Sequence, residues 1–242
     1  MDFEQHLAHF RHEGATAVSL AGGDLDAPIP CCPGWSVGDV AAHLAQVYEH
    51  KIACTELGVE PDPWPPDWPA GRDLGGWLSD SQGRLLALME GLGPTAPSAT
   101  WYPPDQTVGF WARRMAHETV IHRADMQLAL GGLEPIQADL AADGVDEVLN
   151  VMLAGDWSDA PDDGCRGQRA QISTAGRDWL VTLDQAKVTV TEAPGTADAV
   201  LEGDPSDLDL WLWGRRGDEG LLGPDGGEVL RLLRGRLRLA TQ

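Results

Sequence analysis

The sequence predicts a helical N-terminal domain, built as a four-helix bundle, followed by a smaller α+β domain. Two observations lead there. As far as residue 153, apolar residues recur at helical spacing in long segments separated by Pro-rich breaks. Beyond the acidic, Gly- and Pro-containing run DWSDAPDDGCRG, at 156–167, the segments become short and β-branched and are bounded by Gly, Asp or Pro.

The first helix is expected over 2–22, where Phe3, Leu7, Phe10, Ala17, Val18 and Leu20 alternate with polar residues. The stretch APIPCCPG at 27–34 stops it, because each proline removes a backbone donor. A second helix starts at Trp35–Ser36. Ser36 is placed to cap it, and Asp39 three residues on completes a capping box. Val37, Val40, Ala41, Leu44, Val47 and Tyr48 then form its apolar stripe. The Pro/Trp segment GVEPDPWPPDWPAG at 58–71 reads as a loop, and a third helix follows at about 73–91. The fourth, 108–130, ends at Gly131–Gly132, a helix stop signal. A fifth helical stretch is expected at about 137–153. With the boundary in the acidic run, the domains are 1–157 and 165–242. In the second, QRAQIST, DWLVTL, KVTVTE and DAVLEGD read as strands, DPSDLDLWLWGRR as a capped helix, and EVLRLLRGRLRL as an amphipathic terminal segment.

Composition narrows the function classes. Of 242 residues, 17 are Lys or Arg and 38 are Asp or Glu, giving a formal charge of −21. Nucleic acid and anionic membrane both demand a basic surface, so neither is an expected partner. The polar start MDFEQHLAHFRHEG lacks an apolar signal core, and no apolar run approaches the length of a membrane span. A cytoplasmic protein is expected. Its four cysteines, at 31, 32, 54 and 165, lack the CxxC spacing of a structural zinc site and are too few for a disulfide scaffold. Free thiols are expected, with Cys31 and Cys32 as small residues buried at a loop–helix junction and a redox-active pair as the alternative.

The chemistry concentrates in the fourth helix. Glu118 and His122 stand four residues apart and share a face, and Asp125 continues that stripe. His117 points about 100° away from Glu118 and cannot join them. The spacing is not that of the HExxH metallopeptidases. A carboxylate and an imidazole one turn apart offer two ligands to a first-row metal, and a third must come from another helix. His43, on the apolar second helix, is the best candidate, with His50 as the alternative. Two histidines and one carboxylate leave a coordination position open, as in catalytic zinc sites, and suit non-haem iron as well. Asp125 can orient a ligand from behind or pair with Arg123, and Arg114, one turn before Glu118, can neutralise it. Trp64 and Trp68 in the Pro-rich loop are candidate walls of a binding pocket.

The stretches CPGWSVGDVAAHLAQV (32–47) and FWARRMAHETVIHRAD (110–125) together resemble the mycothiol-dependent maleylpyruvate isomerase family, and DLDLWLWGRRG (207–217) resembles its second domain. The resemblance spans nearly the whole chain. It implies a DinB-like four-helix bundle joined to a small α+β unit similar to sterol-carrier proteins. It implies zinc held by His43, Glu118 and His122, and an arginine important for activity at Arg215, with Arg216 adjacent. It also implies mycothiol, the small thiol of actinobacteria, as cosubstrate. A thiol bound to zinc is a thiolate at neutral pH. It can add to an electron-poor cis double bond, allow rotation and leave, or attack another electrophile and stay attached. The expected activity is therefore a mycothiol-dependent S-transferase or cis–trans isomerase acting on a small electrophile, as a monomer or homodimer. An iron enzyme of the DinB-like group coupling a thiol to oxygen is one alternative, though such relatives tend to use three histidines. A non-catalytic thiol-binding module is the other.

Overall fold

A computed structural model of the chain describes residues 1–62, 64, 73–221, 223 and 227–241. They divide into two compact units, Met1–Glu134 and Pro135–Gln242.

The first unit holds four helices, α1 (Phe3–Leu20), α2 (Val37–Leu57), α3 (Leu74–Leu92) and α4 (Val108–Leu130). Local sequence fixes their starts. Asp2 caps α1 and Ser36 caps α2, each in a full capping box, with Gln5 and Asp39 respectively returning the hydrogen bond. Asp73 and Thr107 cap α3 and α4 by accepting from the backbone three residues on. Gly58 closes α2 at φ +71°, a left-handed position that costs glycine little.

The apolar stripes meet in one core, where Phe10, Leu44, Tyr48, Leu78, Leu85, Trp111 and Met115 are almost fully buried. Helix α1 packs on α4 and α3, and α2 packs on α3 and α4, so a four-helix bundle is formed. Gly14 permits the closest approach between α1 and α3. Gln82 from α3 donates to Phe10 O at 2.8 Å, and a Cβ at position 14 would stand 1.8 Å from its amide nitrogen. A buried ion pair also spans the bundle: Arg123 Nε lies 2.9 Å from Glu13 Oε2, while its Nη1 donates to Gln127 Oε1 at 2.6 Å.

The second unit begins with α5 (Ala138–Glu147), which runs into a π-helical segment, Val148–Leu153. Five strands follow: β1 (Gly155–Asp156), β2 (Gln168–Thr174), β3 (Arg177–Leu183), β4 (Lys187–Thr191) and β5 (Ala199–Glu202). Helices α6 (Pro205–Leu212) and α7 (Gly227–Ala240) complete it. The sheet order is β1-β4-β3-β2-β5, antiparallel except for the β2–β5 pair. Ala175 and Gly176 join β2 to β3 as a two-residue turn with φ +49° and +74°, the mirror-image geometry that matches strand twist. Alternate residues of β3, namely Trp179, Val181 and Leu183, face the core.

One expectation needs adjustment. The sequence placed the domain boundary in 156–167, but the compact units part between Glu134 and Pro135. The physical reason lies in α5, which packs on α6 through Gly144, where a Cβ would lie 2.5 Å from Asp209 Oδ2. Asp146 at its far end accepts from Trp179 Nε1 and pairs with Arg177 of β3, both at 3.0 Å. The Ile136 N–H donates to the Ser206 hydroxyl at 2.9 Å, tying the start of this unit to α6. Strand β1 has only two residues and so offers no alternation to read.

Candidate metal centre

Helices α2 and α4 bring His43, Glu118 and His122 together. His43 Nε2 lies 3.0 Å from Glu118 Oε1, and His122 Nε2 lies 3.3 Å from the same oxygen. One ligand atom from each residue falls within 4.8 Å of the others, a group compact enough for one ion. The three side chains keep 32, 17 and 13 % of their surface exposed, so the group opens to a ligand on one side.

Each donor is aimed by a neighbour. His122 Nδ1 faces Asp125 Oδ2 at 3.0 Å, and Asp125 is wholly buried. An Nδ1–H donated to Asp125 leaves Nε2 as the ring nitrogen that faces Glu118 Oε1, and loss of the Nε2 proton would give the tautomer a metal needs. Arg114 Nη2 donates to Glu118 Oε2 at 2.5 Å, which leaves Oε1 to face the two imidazoles. Burial by itself would raise the Glu118 carboxyl, but the Arg114 charge and hydrogen bonds from His122 and His43 hold it well below the ordinary carboxylate range. Burial likewise opposes the charge on His122. Hydrogen bonds to Asp125 and Glu118, with their negative charges, outweigh it and lift His122 to about 9 in the metal-free chain.

Further back, Tyr48 and Thr119 share a hydroxyl hydrogen bond of 2.7 Å, and burial pushes the Tyr48 phenol far above its ordinary value. Trp35 forms one wall. Its ring stacks on His122 with an interplanar angle of 5° at 6.4 Å and meets His43 edge-on at 5.2 Å. Trp35 is not among the site residues the sequence singles out. The available signal was its place immediately before the Ser36 cap, at the start of the helix that carries His43.

The remaining predicted residues are elsewhere. His50, the alternative ligand, faces away from the group: its Nδ1 lies 3.0 Å from Lys51 Nζ and 3.4 Å from Cys54 Sγ, and its ring packs on Trp64 at 4.2 Å. Trp64 thus contacts His50, while Trp68 lies outside the described residues. Arg123 reaches Glu13 and Gln127, and Asp125 serves His122. Arg215 and Arg216 follow α6 in the second unit. Arg215 Nη1 donates to Trp213 O at 2.7 Å, and Arg216 pairs with Asp207 and donates to Glu219 O. Cys31 and Cys32 are only half-buried and turn toward Asp125, where the sequence suggested small buried packing residues.

The family model described as the mycothiol maleylpyruvate isomerase N-terminal domain matches residues 7–127, and that of the MDMPI C-terminal domain matches 139–235. The chain belongs to the mycothiol maleylpyruvate isomerase family. Solved structures with the family fold include a mycothiol-dependent maleylpyruvate isomerase, 14 % identical, with a TM-score of 0.60 over 93 % of this chain and 94 % of that one. A mutant of a mycothiol-dependent maleylpyruvate isomerase in which a histidine is replaced by alanine matches equally, at 14 % identity, TM-score 0.59 and the same coverage. No curated protein sequence matches the chain. The family models part at 127–139, bracketing the division between the two units. Among the described residues no helix is long and apolar enough to cross a membrane.

Proposed function

We propose that this chain is a cytoplasmic, zinc-dependent enzyme that joins mycothiol to a small electrophile, either transferring the thiol or isomerising a cis double bond by reversible addition. The observation that carries this reading is the convergence of His43 Nε2, His122 Nε2 and Glu118 Oε1 on one partly exposed point, in a chain of this family. The donor set fits a divalent ion. Two imidazoles and one carboxylate are the usual protein ligands of catalytic zinc and leave a position for an exogenous group. When bound there, zinc would supply Lewis acidity enough to keep a coordinated thiol deprotonated at neutral pH.

The chain's own residues do the rest. Asp125 holds the His122 ring so that Nε2 points into the group, and Arg114 holds Glu118 ionised and turned. Trp35 shields the outer side of both imidazoles, limiting water there while leaving an entrance. Arg215 is proposed to bind a carboxylate of substrate or thiol through its planar fork. Arg216, already engaged by Asp207, would steady that turn.

The test is metal content by mass spectrometry for wild type, His43→Ala and Glu118→Ala, with mycothiol titrated calorimetrically into each. Near-stoichiometric zinc in the wild type is expected, lost in both variants together with mycothiol binding. Wild-type protein that takes up no metal after reconstitution would remove the reading. Mycothiol binding that persists in metal-free variants would move it to a thiol-binding module.

A further inference from the structure

The loop before α2 carries two thiols that the histidine group does not use. Residues 29–35 form a tight turn. Ile29 N–H donates to Trp35 O at 2.8 Å, Cys32 N–H to Ile29 O at 3.3 Å, and Trp35 N–H to Cys32 O at 3.0 Å. Pro28 bridges Ser36 across its base, and Gly34 takes φ +88°. The turn delivers both adjacent thiols to one carboxylate. Cys31 Sγ lies 3.0 Å from Asp125 Oδ1, and Cys32 Sγ lies 3.9 Å from Asp125 Oδ2. The two sulfurs and an Asp125 oxygen all fall within 4.8 Å of one another, and neither cysteine is in a disulfide.

We propose that Cys31, Cys32 and Asp125 form a second metal site, selective for a thiophilic divalent ion such as zinc or cadmium, which shares Asp125 with the histidine group. Three features carry it. The first is spacing. Zinc–sulfur bonds of about 2.3 Å and zinc–oxygen bonds of about 2.0 Å in a tetrahedron separate the donors by about 3.5–3.8 Å. The thiols lie 3.0 and 3.9 Å from the two Asp125 oxygens, and the three donor atoms lie within 4.8 Å of one another, so side-chain rotation brings them to those separations. The second is softness, since two sulfurs favour zinc or cadmium over magnesium and calcium. The third is the sharing of Asp125: Oδ1 faces Cys31 while Oδ2 faces both Cys32 and His122 Nδ1, so one buried carboxylate serves both groups. As each metal–sulfur bond forms, its thiol proton passes to solvent, and no atom changes oxidation state. The site is a property of the chain alone and does not depend on the proposed thiol-transfer reaction.

The experiment titrates cobalt(II), a spectroscopic stand-in for zinc, into fully reduced wild type, His43→Ala and a Cys31→Ser/Cys32→Ser double variant. Sulfur-to-cobalt charge transfer in the near ultraviolet reports thiolate ligation only. Wild type is expected to show the band and bind about two ions, reflecting two three-ligand groups. His43→Ala should keep the band with about one ion, and the double variant should lose it while keeping about one. Absence of the band from both wild type and His43→Ala at saturation overturns the proposal, as does its survival in the double variant. A band in the wild type whose loss in the double variant leaves no cobalt bound supports the thiol site and counts against the histidine site, so the two readings fail separately. If the double variant does not fold, maleimide labelling of wild type and His43→Ala replaces it. Cys54 and Cys165 are fully buried, so labelling reads Cys31 and Cys32. Cadmium should slow it by about tenfold or more, because a ligated thiolate is no longer a free nucleophile. Labelling unchanged by cadmium overturns the proposal.

Discussion

Asp125 Oδ2 lies 3.0 Å from His122 Nδ1, and the Asp125 side chain is completely withdrawn from solvent. The pair joins two residues of α4 one turn apart. It sets the ring orientation of a proposed ligand from behind, where solvent cannot compete.

Replacing that carboxylate while keeping its shape should loosen the metal. Asp125→Asn is expected to fold and to weaken zinc affinity at the histidine group by about 10- to 100-fold, the usual cost of losing a partner behind a ligating imidazole. Competition with a chelator of known affinity measures it. An unchanged affinity would mean that Asp125 does not orient His122.

The Arg123–Glu13 pair has both side chains at most 4 % exposed, so breaking it leaves a charge without its partner in the core. Arg123→Met should destabilise the bundle by about 3–5 kcal/mol. The double change Arg123→Met/Glu13→Leu should recover much of that loss, because no uncompensated charge remains. Urea unfolding of the two variants and the wild type gives the comparison.

His50 predicts an acid-sensitive contribution. Burial, followed by the Lys51 charge, lowers its pKa to about 4 from an ordinary 6.5. Between those values the unfolded chain binds a proton that the folded chain refuses, so stability falls as pH drops from about 6.5 toward 4. Below pH 4 both states are protonated and the contribution levels off. His50→Gln should therefore show a smaller loss of urea midpoint between pH 7 and pH 5 than the wild type. Parallel curves for the two proteins would exclude this origin.

Ser36 caps α2 while Asp39 closes the box from the other side, with Asp39 Oδ2 accepting from the Ser36 backbone and hydroxyl at 2.8 Å. Ser36→Ala should cost about 1 kcal/mol of stability, as for other lost caps. The same change should widen the motion of Trp35, which precedes it and lines the histidine group. Tryptophan fluorescence quenching by iodide, compared between Ser36→Ala and wild type, reads that motion.

What the sequence determined by itself is the local part of this protein. The start of α2 followed from Ser36 with Asp39 three residues on, and the end of α4 followed from Gly131–Gly132. Glu118, His122 and Asp125 could be placed on one stripe because helical spacing is fixed by backbone geometry. His43 as third ligand rested on its odd position in an apolar stripe and on the family resemblance, since no local rule relates residues 75 apart.

Only the tertiary structure decided the rest, for the same reason in each case: the partner is distant in sequence. It gave α5 to the second unit through the close approach of Gly144 and Asp209. It sent Arg123 to Glu13, 110 residues away. It stacked Trp35 on His122 and turned the Cys31 and Cys32 thiols to a carboxylate more than 90 residues away. Periodicity and capping report what a segment does alone; which side chains meet is set by how segments pack, and packing is where the chemistry of this protein was assembled.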